Sequence, residues 1–174
     1  MKPLLLFAIM LAVSGCSHVY KHYDYDAGVT SAHDGKVTIV LNGHHTAVSE
    51  SPPITKVGSP YCTVVYWQSE DLTLEGKDIE THIALLSQKS GLRISIDKID
   101  VGKIKTPNKR FHPDSEDKTY FNAAACDLVI EKHEPVTIEG TIIIDGMPQR
   151  FKATLEPNYW QERRNDTFDA MMSV

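Results

Sequence analysis

The chain has 174 residues, 41% of them hydrophobic and 24% charged, with 10 Gly, 9 Pro and 3 Cys. This is ordinary soluble-domain composition, enough for one core and too short for two full domains. Eighteen Lys and Arg against 23 Asp and Glu leave a formal net charge of −5, so the broad basic surface that a phosphate backbone demands is missing and nucleic acid is disfavoured as a partner.

Residues 1–16, MKPLLLFAIMLAVSGC, place Lys2 ahead of an unbroken apolar run from Leu4 to Val13, followed by Ser14, Gly15 and Cys16. The run is well short of the about 20 apolar residues that a bilayer-spanning helix needs. A cationic start, a short apolar middle and small residues before a cut site make a secretory signal peptide, here residues 1–15. Val13-Ser14-Gly15-Cys16 resembles the lipobox of bacterial lipoproteins, an aliphatic residue and two small residues before a cysteine, with Val13 where Leu is usual. The resemblance implies cleavage before Cys16, a diacylglycerol thioether on its sulfur and acylation of the new amino group. One acyl chain anchors marginally, at about 0.8 kcal/mol per buried methylene, whereas several on one residue anchor stably. In such lipoproteins an Asp after the cysteine favours retention in the inner membrane. Ser17 therefore implies the periplasmic face of a Gram-negative outer membrane, with a Gram-positive surface lipoprotein as the alternative. Removing residues 1–15 leaves 159 residues with a net charge of −6.

Residues 16–35 read as the lipidated N-terminus and a flexible tether, because SHVYKHYDYDAGVTSAHDG follows neither a period of 2 nor one of 3.6. A free segment of this length spans roughly 25 Å on average. Residues 36–174 read as a single domain of strands. Lys36–Asn42 alternates Val37, Ile39 and Leu41 against its other face, and Asn42-Gly43 is a hairpin-turn dipeptide. Ser51–Pro60 holds three prolines and a glycine and reads as loop. Tyr61–Gln68, dense in β-branched and aromatic residues, is a strand, followed by a short element at Asp71–Leu74.

Residues 78–87 fit a helical face through Ile79, Ile83 and Leu86, and a strand face through Ile79, Thr81, Ile83 and Leu85; the strand is preferred. Leu92–Val101 shifts phase after Ile96, which predicts a β-bulge near Asp97-Lys98. Gly102–Lys118 reads as a long polar loop. Thr119–Ile130, Pro135–Asp145 and Gln149–Leu155 follow as strands, the last two joined by an Asp145-Gly146 turn. Beyond Pro157, either Asp166 caps a short helix or Thr167–Val174 adds an edge strand. About seven to nine short strands without helical periodicity predict an all-β fold, an antiparallel β-sandwich.

With Cys16 taken by lipid, Cys62 and Cys126 form an even pair in an oxidising compartment. Each shares a strand face with apolar residues, Cys62 with Val64 and Tyr66, Cys126 with Ala124, Leu128 and Ile130. This predicts a disulfide between two sheets, against the alternative of two free buried thiols. Their separation resembles the immunoglobulin-fold cysteine spacing. Trp67 lies too soon after Cys62, and position 124 is Ala where a tyrosine corner has Tyr, so the resemblance implies an immunoglobulin-like sandwich and no membership of that superfamily.

No nucleophile elbow, zinc-protease motif, Cys-x-x-Cys pair or phosphate-binding glycine loop is present. His44 and His45, with His18 and His22, have the chemistry for Zn or Cu. Adjacent strand residues point to opposite faces, which favours solvated turn histidines. Asp24, Asp26 and Gly28, and the group Asp114, Glu116 and Asp117, lack the full spacing of a calcium loop. Lys103, Lys105, Lys109 and Arg110 make a basic run, either an exposed loop or a contact for anionic lipid or glycan. Tyr20, Tyr23 and Tyr25 suit a headgroup region. Tyr159 and Trp160 beside Arg163 and Arg164 have interface-hot-spot composition and are the candidate partner-binding residues, unless Trp160 closes one end of the core. No catalytic residue, metal ligand or cofactor is assigned. The expectation is a lipid-anchored, non-enzymatic binding or envelope-assembly module, held to the membrane through Cys16 and engaging an envelope protein or glycan. The alternatives are a periplasmic metal-binding protein and an envelope enzyme with a spatially assembled site.

Overall fold

A computed structural model describes residues 18–49, 53–87, 93–107 and 117–164. Residues 1–17, which hold the expected signal peptide and Cys16, the middle of the 102–118 segment and the tail from 165 to 174 lie outside the described residues. Among the described residues ten strands follow in order: β1 His18–Tyr25, β2 Gly28–Ala32, β3 Gly35–Val48, β4 Ile54–Ser69, β5 Asp78–Ser87, β6 Arg93–Lys103, β7 Thr119–Leu128, β8 Val136–Ile144, β9 Met147–Leu155 and β10 Pro157–Arg164. They form a six-stranded sheet, β10-β1-β4-β3-β2 with β7 also on β4, and a four-stranded sheet, β6-β5-β8-β9. The two pack together as an all-β sandwich, with one turn of 3-10 helix at Leu72–Leu74 between β4 and β5.

The 16-residue β4 organises the larger sheet. One edge pairs antiparallel with β3 from Lys36↔Gln68 to Val48↔Ile54. The other edge is shared: β1 runs parallel to it over Ile54–Val57, and β7 runs antiparallel to it over Tyr61–Ser69. Between these stretches the register on β3 shifts at Gly43/His44, with Ser59-Pro60, a cis peptide, left over on β4.

The expected turn at Asn42-Gly43 and the expected loop at Ser51–Pro60 are therefore corrected: residues 42–48 are strand, and within the described part of the loop residues 54–60 belong to β4, with 54–58 paired to β3. Gly43 is needed for close approach of two backbones, since a Cβ there would sit 2.6 Å from the Gly58 nitrogen. The turn that does join β2 to β3 is His33-Asp34, both residues at positive φ (51° and 54°), the geometry of a type I′ hairpin. Asp145-Gly146 makes the corresponding turn between β8 and β9, as its sequence predicts. Residues 78–87 are a strand, and Ile83 faces both Asp97 and Lys98 across β6, so the bulge falls where the phase shift placed it.

The tether expectation is also overturned. Residues 18–25 and 28–32 are strands of the larger sheet, and Tyr25 belongs to the core. The segment lacks a hydrophobic alternation because both of its faces carry amphipathic rings, which a polar–apolar pattern scores as polar.

Each sheet contributes one face to a shared core that includes Val37, Ile39, Val65, Trp67, Ile138 and Leu155. Its large rings keep their polar tips satisfied, as buried aromatics must. Trp67 Nε1 donates to the Ala32 carbonyl at 2.9 Å, Tyr61 Oη to the Tyr23 carbonyl at 2.6 Å, and Tyr25 Oη to the Glu134 carbonyl at 3.0 Å.

Cys62 and Cys126 form a disulfide, but it joins neighbouring strands of one sheet and leaves the two sheets unstapled. The strand phase is the reason. On β4 the buried series is Tyr61, Thr63, Val65 and Trp67, which turns Cys62 to the opposite face. On β7, two residues, Cys126 and Asp127, lie between the positions facing Thr63 and Tyr61, with Asp127 at φ 62°, so Cys126 is exposed.

Thr63 Oγ1 is a buried side-chain oxygen without a hydrogen-bond partner among the described residues. Replacing the hydroxyl by a methyl group of similar shape removes the unsatisfied atom, so Thr63→Val is expected to stabilise the protein by about 1 kcal/mol in urea unfolding. Burial raises the phenol pKa values of Tyr25 and Tyr61 above the ordinary 10.0. A raised folded-state pKa gives stability that is whole below the unfolded value and is lost as pH rises beyond it. Urea midpoints should therefore fall above about pH 10, and Tyr61→Phe should fall less steeply there while starting about 1 kcal/mol lower at pH 7 for its lost hydrogen bond.

Candidate interaction surface

The first and last described strands pair with each other, from His18↔Arg164 to Tyr25↔Pro157, and alternation sorts their side chains onto two faces. Tyr23, Tyr25 and Tyr159 fall on the core side, where Tyr23 and Tyr159 meet at 5.1 Å and Tyr25 packs on Tyr61 at 5.5 Å. The opposite face carries His18, Tyr20, His22 and Asp24 on β1 beside Trp160, Glu162 and Arg164 on β10.

This outer face is an ordered layer of stacked rings. Trp160 lies flat on His22, with 3.7 Å between ring centroids and 5° between planes. His18 stacks on Tyr20 at 4.7 Å, the Arg164 guanidinium sits 5.1 Å from the Tyr20 centroid, and His45 meets Tyr20 edge-on at 6.4 Å. Beneath these rings lie Thr55, Val57 and His22, each under 10% exposed. None of the three belongs to the main core, so the face has a small packed layer of its own.

Two carboxylates fix the layer. Asp24 accepts a hydrogen bond from Trp160 Nε1 at 2.8 Å, which holds the indole in its stacked position. Glu162 pairs with Arg164 at 2.6 Å and with His22 Nε2 at 3.2 Å. The guanidinium contact, aided by the imidazole, holds the Glu162 carboxyl below its ordinary pKa, so it remains an anion across the physiological range. Preorganised aromatic faces, a planar cation and locked rotamers are what protein and glycan contacts are built from.

The four candidate partner-binding residues do not make one surface. Trp160 and Arg164 share the outer layer, whereas Tyr159 and Arg163 alternate to the other face. Trp160 is 41% exposed and does not close the end of the core. His18, Tyr20 and His22 complete the layer, and the tether reading concealed them. Their signal in the sequence is the alternation of rings at 18, 20 and 22 against 23 and 25.

The histidines do not assemble. His44 Nε2 lies 3.5 Å from Cys62 Sγ, His45 touches Tyr20, and His18 bonds Thr55 Oγ1 at 2.8 Å. Among the described residues no three His, Cys, Asp or Glu side chains group as metal ligands. Asp24 and Asp26 are engaged by Trp160 and Asn158 respectively. From the basic run, Lys103 pairs with Asp78 at 2.9 Å and Lys105 is exposed, while Lys109 and Arg110 lie outside the described residues, as do Asp114 and Glu116. An open depression of about 410 Å³ at the far end of β4, lined by Asp34, Lys36, Gln68, Ser69, Glu70 and Asp71 among others, contains neither His nor Cys.

Because Trp160 is half-exposed and rests on a single imidazole face, Trp160→Ala should keep the fold and cost about 1 kcal/mol. Thermal unfolding followed by the remaining tryptophan, the core residue Trp67, checks this. Comparison with known proteins gives no relative to name: the chain matches no protein-family model, no curated protein and no solved structure.

Proposed function

We propose that the protein is a lipid-anchored outer-membrane lipoprotein of the periplasm that acts by binding, as a recognition or assembly module of the envelope and without chemistry of its own. The observation that carries the binding role is the outer layer of β1 and β10: stacked His18, Tyr20, His22 and Trp160 with Arg164, locked by Asp24 and Glu162 on a rigid sheet. Such a layer offers a partner flat apolar faces and a cation at little further entropic cost. The partner is an envelope protein or glycan. The anchoring role is supported by the lipobox-like Val13-Ser14-Gly15-Cys16.

The two parts separate experimentally. Cys16→Ser should release the protein from membranes and abolish acyl-chain mass on the mature chain. The double change Trp160→Ala and Arg164→Ala should leave the anchor intact and lower partner capture by in-cell crosslinking at least tenfold, the scale of a hot-spot loss. Persistent outer-membrane fractionation of Cys16→Ser overturns the anchor, and unchanged crosslinks in the double variant overturn the binding face.

A further inference from the structure

The body is charged unevenly along β4. Its N-terminal end meets the start of β1, the end of β10 and the end of β3. There Lys21, Lys56 and Arg163 share one face and Arg164 lies on the other, and among the described residues the carboxylate at this end is Glu162, which is committed to Arg164. Lys21 and Lys56 occupy paired register positions on adjacent strands, and no ion pair among the described residues engages either of them or Arg163. Like charges set side by side oppose sheet formation unless an anion joins them. At the other end of β4, on the order of 50 Å away at about 3.3 Å per residue, the balance among the described residues reverses: Asp34, Glu70, Asp71 and Asp117 outnumber Lys36, Lys105 and Lys118.

Only Ser17 separates Cys16 from the first strand residue, His18. Two residues of chain span at most about 7 Å, less than the Debye length of about 8 Å at physiological salt. With a lipid on Cys16, the basic end cannot leave the headgroup layer.

We infer that this end of the larger sheet, through Lys21, Lys56 and Arg163, is a docking surface for anionic phospholipid headgroups that stands β4 away from the membrane. The inference rests on the anchoring proposed above and adds what the anchor alone does not provide, an orientation. Lysine and arginine at an anionic surface each add attraction that fades within a Debye length, so the basic end is held while the acidic end is repelled on tipping. Val19, Ile54 and Tyr20, half-buried at the same end, suit the interfacial zone beside the cations.

The test uses a chain starting at Cys16, with its disulfide intact, alkylated at Cys16 with a single tetradecyl-maleimide. One chain anchors only marginally, so an additional electrostatic contact is visible as partitioning. Co-sedimentation is measured with vesicles of pure phosphatidylcholine and of phosphatidylcholine with three-tenths phosphatidylglycerol. Phosphatidylglycerol should raise partitioning at least tenfold at low salt, from roughly fivefold per engaged cation. Lys56→Glu with Arg163→Glu should abolish the gain, and Lys36→Glu with Lys105→Glu, both exposed near the far end, should retain it. A gain below twofold, or an equal loss in the two double variants, overturns the docking surface. Acyl mass on the natural mature chain is read separately: its absence defeats the lipoprotein reading whatever the vesicles show, and its presence does not rescue a failed docking result.

Discussion

The constraint on which the fold depends is that β4 is paired along both edges by three different strands. A central strand must satisfy its N–H and C=O groups on each side, and no single neighbour of β4 does so over its length except β3. The opposite edge is divided between β1 and β7, one parallel and one antiparallel. That division explains other features. The register shift at Gly43/His44 falls between the two halves, the disulfide ties β7 into its half, and the outer layer of rings is built over the other half.

Two parts of the molecule follow as a result. The half paired with β7 carries the sandwich core, where Trp67, Val65 and Tyr61 face the second sheet. The half paired with β1 carries Thr55 and Val57 beneath His22, Tyr20 and Trp160. One strand therefore contributes to two packed layers, and its aromatic rings, Tyr61, Tyr66 and Trp67, all fall in the half paired with β7.

Much of the fold was legible because period-2 patterns and turn dipeptides act locally. Residues 78–87, the Asp97-Lys98 bulge and the Asp145-Gly146 hairpin all follow from side chains within a few positions of one another. The misreadings share a different cause. Asn42-Gly43 has turn chemistry, yet long-range pairing with Cys62 and Tyr61 keeps it in a strand. Cys62 lies on an apolar-looking face that is not the core face, because both faces of Tyr61–Gln68 are rich in β-formers and only the second sheet decides between them. Residues 18–25 are ordered by partners near position 160, and nothing local in their sequence reveals that pairing. Of the candidate surface, Trp160 and Arg164 were readable from composition; His18, Tyr20 and His22 left only an alternation of rings, whose meaning appears once β1 and β10 lie side by side.

The pairing of β1 with β10 also governs the order of assembly. His22 and Glu162 are 140 positions apart, and Asp24 and Trp160 are 136 apart. A chain made from its N-terminus presents β1 first and its antiparallel neighbour last among the described strands, so one edge of β1 stays open through most of synthesis. Contacts of such sequence separation close slowly, because the intervening loop must lose its freedom before they reward it. The ring layer is accordingly a late product of folding, complete only when β10 has arrived. A chain cut short before β10 would present a bare strand edge, the template for unwanted pairing with other chains, so completion of the surface doubles as a mark that synthesis has passed β10.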